Sequence, residues 1–135
     1  MANLARHEIL VVDDDDAVRD SLGLMLTAAG YDVSLAENGV DALLQLRKPF
    51  PTVIISDLNM PQMSGSEFLA VVRRRFPQIS VIAMSGAYRA ADAVSNGVMA
   101  DAFYPKGQGT TEELLSAVAG LILASAARHR ETFME

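Results

Sequence analysis

The chain has 135 residues, which fits one domain, and half of them are hydrophobic, enough for a compact core. Its formal net charge of −6, from 11 Lys and Arg against 17 Asp and Glu, argues against nucleic acid as a direct partner, because phosphate binding needs a basic face. The lack of cysteine excludes disulfides, thiolate metal sites and cysteine nucleophiles. The most apolar stretch, Leu114–Ala127, falls short of the roughly 20 residues of a membrane span and is bracketed by Glu113 and Arg128. The N-terminus carries no signal-peptide core, so a cytoplasmic protein without membrane contact is expected. Arg73, Arg74 and Arg75 form the one basic run and read as a solvated helix face.

Strand and helix signals alternate from end to end. Ile9–Val12, β-branched apart from Leu10, reads as a buried strand. Asp15 or Asp16 caps the helix that follows, with Val18, Leu22, Met25 and Leu26 at helical spacing and Gly30 where a glycine stop belongs. Val33–Ala36 is a second, weaker strand. Asn38-Gly39 opens a helix through Leu43, Leu44 and Leu46 that Pro49 and Pro51 keep from continuing. Val53, Ile54 and Ile55 make the third strand, ending at Ser56-Asp57. A turn-rich loop, Asn59–Gly65, leads to a helix with the capping box Ser64–Glu67 and the apolar residues Phe68, Leu69, Val71 and Val72, which stops before Pro77. Ile79–Met84 is the fourth strand. A weak, alanine-rich helix from Arg89 to Val98 follows, Ala102–Tyr104 is the fifth strand, and Thr110–Glu113 is a second capping box opening the last helix.

Five strand–helix units with short connections imply a parallel sheet covered on both faces. Right-handed crossovers then favour a flavodoxin-like, doubly wound (βα)5 fold of the α/β class with strand order 2-1-3-4-5. The matching organisation is one domain over residues 8–127 with short extensions at 1–7 and 128–135. In such sheets ligands bind outside the carboxyl ends of the strands, where the order reverses between the first and the third. That rule points at Asp13–Asp16 and at Asp57.

Asp13, Asp14 and Asp57 follow the ends of adjacent strands, so their carboxylates should converge. Two such charges about 5 Å apart repel by roughly 3 kcal/mol at an effective dielectric near 20. The cluster must protonate, stay solvated or hold a cation, and hard oxygens with room for water suit Mg²⁺. Helix capping explains Asp15 or Asp16 but needs one carboxylate, and accounts neither for Asp14 in addition nor for Asp57. An EF-hand would require alternating acidic positions and a central glycine that the run lacks. A carboxylate sharing a Mg²⁺ site is a candidate nucleophile for phosphoryl transfer, and the phosphoryl group then calls for a cation and a hydroxyl beside it. Ser85 closes the fourth strand and Lys106 the fifth. Alone, each reads more readily as a turn serine or a solvated lysine; together, beside the aspartates, they favour a phosphate site.

Four segments carry a resemblance: Ile9-Leu-Val-Val-Asp-Asp-Asp15, Ile55-Ser-Asp-Leu-Asn-Met-Pro-Gln-Met-Ser-Gly65, Met84-Ser-Gly86 and Tyr104-Pro-Lys106. They resemble the motifs of response-regulator receiver domains of two-component signalling, over nearly the whole chain. The resemblance implies Asp57 as the phosphoacceptor, Asp14 as a direct Mg²⁺ ligand, Asp13 as one acting through water, and Asn59 as the donor of a main-chain carbonyl. It implies Ser85 as the hydroxyl that follows the phosphate, Lys106 as the cation on it, and Phe103 as the aromatic whose rotamer reports the switch. For Phe103 alone, core packing is the simpler reading. A sensor histidine kinase or phosphotransfer protein is the implied donor, and catalysis is limited to the domain's own Mg²⁺-dependent phosphorylation and dephosphorylation.

Two positions depart from the family pattern. Receivers usually carry Lys-Pro with a cis peptide, whereas here Lys106 follows Pro105 and precedes Gly107. A cis bond before glycine costs about 2.5–4 kcal/mol, so a trans bond and a differently shaped loop are expected, with Pro105 tolerated on an edge strand. Ser64 stands where an aspartate is common, which strengthens the helix cap.

Rival chemistries fit less well. A haloacid-dehalogenase-like hydrolase wants an aspartate two residues after its nucleophile, a position held here by Asn59. A flavodoxin-like nucleotide binder needs a phosphate-cradling loop after the first strand, where four aspartates would repel phosphate. A receiver-like interaction module independent of phosphorylation is the alternative that the altered Lys106 loop keeps open. In the last helix, Leu114, Val118, Leu121 and Ser125, with Leu115, Ala119 and Ile122, should face the sheet. On the other side Ser116, Gly120 and Ala124 recur every four residues beside Leu123. Gly120 costs about 1 kcal/mol relative to alanine, so it marks either a docking face for an effector or a second copy, or a tolerated surface glycine.

Overall fold

The aliphatic runs of β1 (Glu8–Val12), β3 (Val53–Asp57) and β4 (Ser80–Ser85), with the weaker flanking strands β2 (Asp32–Ala36) and β5 (Ala102–Pro105), form one parallel sheet in the order β2-β1-β3-β4-β5. The structure, a computed structural model, describes residues 7–60, 63–86 and 100–134. Four helices lie within these residues: α1 (Asp16–Ala28), α2 (Gly39–Gln45), α3 (Gly65–Arg75) and α4 (Thr111–Met134). The helix expected over Arg89–Val98 lies outside them. Strand order and parallel pairing are those of the doubly wound fold that alternating strand and helix signals predict.

The central strands are buried on both faces, as a sheet covered by helices requires: all five residues of β3 and four of β1. Alternation divides their side chains. Leu10, Val12, Ile54, Val81 and Ala83 meet Phe68, Leu69 and Val72 of α3. Ile9, Val11, Ile55, Ile82 and Met84 meet Leu26 of α1 with Leu114 and Val118 of α4.

The helix ends follow the local chemistry. Asp15 caps α1 by accepting from the N–H groups of Ala17 and Val18, and Gly30 takes φ +102° just beyond the C-terminal end. Ser64 and Glu67 form the reciprocal capping box of α3, and Thr110 and Glu113 that of α4. The Lys106–Gly107 bond is trans, Gly107 has φ +83°, and the cis peptide among the described residues is Lys48–Pro49.

One expectation about α4 is corrected. Ala119 is exposed, and Ala117 packs partly against the core in its place. At 3.6 residues per turn, position 119 lies roughly 140° around the helix from Leu114, whereas 117 joins 114, 118 and 121 on one face. The helix also continues past Ala127 to Met134. No described helix is long and apolar enough to cross a membrane.

Candidate functional site

Parallel pairing builds the site. Val12 is in register with Ser56, so Asp13 and Asp57, the next residue on each chain, leave the sheet side by side. Asp13, Asp14 and Asp57 each present a carboxylate oxygen within 4.8 Å of the others; Asp13 and Asp57 are buried and Asp14 is exposed. Lys106, just past β5, reaches both buried carboxylates. Its Nζ lies 3.0 Å from Asp57 Oδ2, 3.2 Å from Asp13 Oδ1 and 3.1 Å from Asp13 Oδ2.

The remaining oxygens are engaged unevenly. Asp57 Oδ1 accepts the Asn59 N–H at 3.1 Å, and Asp13 Oδ1 accepts the Asp15 N–H at 2.9 Å. Asp13 Oδ2 is buried and makes no hydrogen bond among the described residues; its contact with Lys106 is ionic rather than a directed bond. Burial pushes the Asp13 carboxyl above its usual pKa and the charge of Asp57 adds to this, while the Asp15 N–H and Lys106 pull the other way without cancelling it. Burial also works to lower the Lys106 pKa, but hydrogen bonds and charge from Asp57 and Asp13 outweigh it and hold the ammonium above its ordinary value.

Three carboxylates against one ammonium leave a local excess of negative charge. The donors are hard oxygens only, and one of them is buried without a hydrogen bond. That set suits Mg²⁺ better than a softer transition metal. A cleft of about 750 Å³ opens beside the cluster, lined among others by Asp14, Asp57, Asn59, Gly86, Tyr104 and Lys106.

The other sequence-predicted residues, Ser85 and Phe103, lie on the neighbouring strands β4 and β5. Ser85 ends β4, one residue beyond Met84, which is the register partner of Asp57. Its main-chain carbonyl accepts the Lys106 N–H at 3.0 Å, tying the end of β4 to the lysine loop. Phe103 pairs with Ala83 and packs, half-buried, against the α2–α3 side of the core rather than in the cleft.

Two further residues matter whose roles the motifs do not give. Gly65, at the start of α3, donates its N–H to the Leu58 carbonyl at 3.1 Å, and a Cβ there would lie 2.2 Å from the Asp57 carbonyl oxygen. Only glycine lets α3 begin against the end of β3. Arg19, in the first turns of α1, donates Nη1 to the Asp13 carbonyl at 2.9 Å and Nη2 to Asp16 Oδ1 at 2.6 Å. The available signal for Arg19 is a cation near a helix N-terminus, where the helix dipole disfavours one.

Residues 9–118 match the family model described as the response regulator receiver domain. The chain belongs to that family. The receiver is 36% identical over 119 residues to the response regulator MprA of Mycobacterium avium, covering 84% of this chain and 50% of that protein. It thus spans about half the length of the curated relatives it matches. Among solved structures it resembles a CheY-like receiver domain protein from Methanospirillum hungatei, with a TM-score of 0.84, 26% identity and coverage of 92% of this chain and 99% of that one. It also resembles the response regulator TrrA of Thermotoga maritima in complex with Mg²⁺-BeF, with a TM-score of 0.76, 30% identity and coverage of 85% and 98%.

Proposed function

We propose that this receiver is a cytoplasmic phosphoacceptor that takes a phosphoryl group onto Asp57, in a Mg²⁺-dependent step, from a phosphohistidine on a sensor histidine kinase or phosphotransfer protein. The observation that carries the reading is the Lys106 ammonium lying on both Asp57 and Asp13 inside a cluster of hard oxygens. Asp14 would hold the metal directly, Asp13 through water, and Asp57 with the main-chain carbonyl of Asn59 would complete the protein ligands. When bound, Mg²⁺ offsets charge on the phosphoryl oxygens. The Thermotoga relative, a complex with Mg²⁺-BeF, supports both the metal and a phosphoryl-like group.

In the step itself, a carboxylate oxygen of Asp57 attacks phosphorus. The P–N bond to the donor histidine breaks and its electron pair stays on the imidazole nitrogen, leaving an acyl phosphate on Asp57. Lys106 exchanges its bond to Asp57 Oδ2 for one to a phosphoryl oxygen, and the Ser85 hydroxyl donates to another. Phe103 then shifts with the β4–β5 edge. Hydrolysis of the acyl phosphate restores Asp57, so the domain catalyses only its own phosphorylation and dephosphorylation. Its output runs through α4, whose open side carries exposed Gly120 and Leu123, toward an effector or a second copy of the domain.

Acetyl phosphate with Mg²⁺ tests the reading. Intact-mass spectrometry should show one phosphoryl adduct on the wild type, absent in Asp57→Asn and after EDTA. An adduct persisting in Asp57→Asn would remove Asp57 from the role. A wild type that never takes phosphate would instead be a phosphorylation-independent interaction module.

A further inference from the structure

We propose that Arg19 is a positioning residue for the Mg²⁺ site: its guanidinium fixes the peptide joining Asp13 to Asp14, and thereby the direction of both carboxylates. This rests on the metal reading above. Asp13 is held at every polar atom but one. Its N–H donates to the Ala36 carbonyl at 3.1 Å, its carbonyl accepts Arg19 Nη1 at 2.9 Å, and its Oδ1 accepts the Asp15 N–H at 2.9 Å. Oδ2, the oxygen without a hydrogen bond, lies 3.1 Å from Lys106 Nζ, and the Asp13 carboxylate is within 4.8 Å of those of Asp14 and Asp57. The carbonyl that Arg19 holds belongs to the same rigid peptide plane that starts Asp14.

The ion pair with Asp16 does not explain why Arg19 is there. The Asp16 side chain is 82% exposed and that of Arg19 only 15%, so the pair itself is a surface contact of small net value. A cation in the first turns of a helix also works against the helix dipole. Of the two bonds Arg19 makes, the one to the Asp13 carbonyl is part-buried and the one to Asp16 is exposed. Charge and geometry then predict opposite signs. As a mere positive charge near the cluster, Arg19 weakens cation binding. As a brace on the ligand-bearing peptide, it strengthens it, as partners that orient metal ligands do.

Isothermal titration of the metal-free full chain with MgCl2 at 0.15 M ionic strength reads the sign. Arg19→Met should weaken Mg²⁺ binding about tenfold, in the range found for partners that orient metal ligands. Its melting temperature should stay within a few degrees of wild type, and saturating Mg²⁺ should restore the acetyl-phosphate adduct to the wild-type level. Arg19→Lys, which keeps the charge but not the planar fork, should recover only part of the affinity and carries the test if Arg19→Met does not fold. Asp16→Asn should stay within about twofold of wild type, since screening at this salt leaves little of an exposed pair. Equal or tighter Mg²⁺ binding in the arginine variants overturns the proposal, as does an Asp16→Asn loss as large as that of Arg19→Met. A wild type that fails to bind Mg²⁺ sinks the metal reading itself and this inference with it, whereas wild-type binding with unaffected arginine variants rejects Arg19 alone.

Discussion

A methyl group at position 65 would sit 2.2 Å from the Asp57 carbonyl oxygen and 2.5 Å from Leu58 Cα, both backbone atoms that cannot swing aside. Gly65→Ala must therefore push α3 off the end of β3 and move the strand end that presents Asp57. Overpacking of this kind typically costs about 1–3 kcal/mol. A lowered denaturation midpoint is expected together with slower adduct formation from acetyl phosphate; a variant matching wild type in both would mean that α3 can yield at no cost. The aspartates were readable without structure, because a carboxylate ending a buried strand at the point where strand order reverses has few structural explanations. Gly65 was readable as a turn residue and as the end of the Asp57 motif, but not as a packing constraint. Its tightness comes from a backbone of another element, and the sequence carries no sign of that contact.

Helix boundaries were legible because caps are local. Thr110 and Glu113 exchange hydrogen bonds as the pattern predicts, at 3.0 and 3.1 Å. The Thr110 N–H, and then its hydroxyl, hold the Glu113 carboxyl below its ordinary pKa. A depressed folded-state value means that this carboxylate stabilises the fold above its unfolded pKa, about 4.3, and that the contribution is lost as pH falls through the lower folded value. Amide exchange at the start of α4 should therefore accelerate as pH is taken below about 4, after correction for intrinsic rates. Glu113→Gln should abolish that pH dependence, and a dependence that survives the substitution would place its origin elsewhere. The face of α4 was less legible. Alanine packs or lies exposed with equal ease, so only the angular position of the buried leucine and valine decides between Ala117 and Ala119.

Ser85, Phe103 and Lys106 sit on neighbouring strands β4 and β5 or just beyond them, with the Lys106 N–H bound to the Ser85 carbonyl. A phosphoryl group on Asp57 would thus pull on the whole β5 edge. Shifting a two-state equilibrium from 1:99 to 99:1 takes about 5.5 kcal/mol, and on the proposed reading charge-assisted bonds from Ser85 and Lys106, roughly 1.5–3 kcal/mol each, would supply most of it. Beryllofluoride with Mg²⁺ should move amide resonances from Ser85 and from Ala102 to Lys106, well away from Asp13. Changes confined to Asp13–Asp57 would leave a metal site without a switch. Strand order, the family and the carboxylate cluster followed from the chain alone, because hydrophobic period, caps and handedness are set by neighbouring residues and by chirality. What braces the cluster did not. Gly65 is pressed on the Asp57 backbone, and Arg19, beside its ion pair with Asp16, holds the main-chain carbonyl of Asp13. Contacts to backbone leave no mark on the partner's residue type, so only the folded chain reveals them.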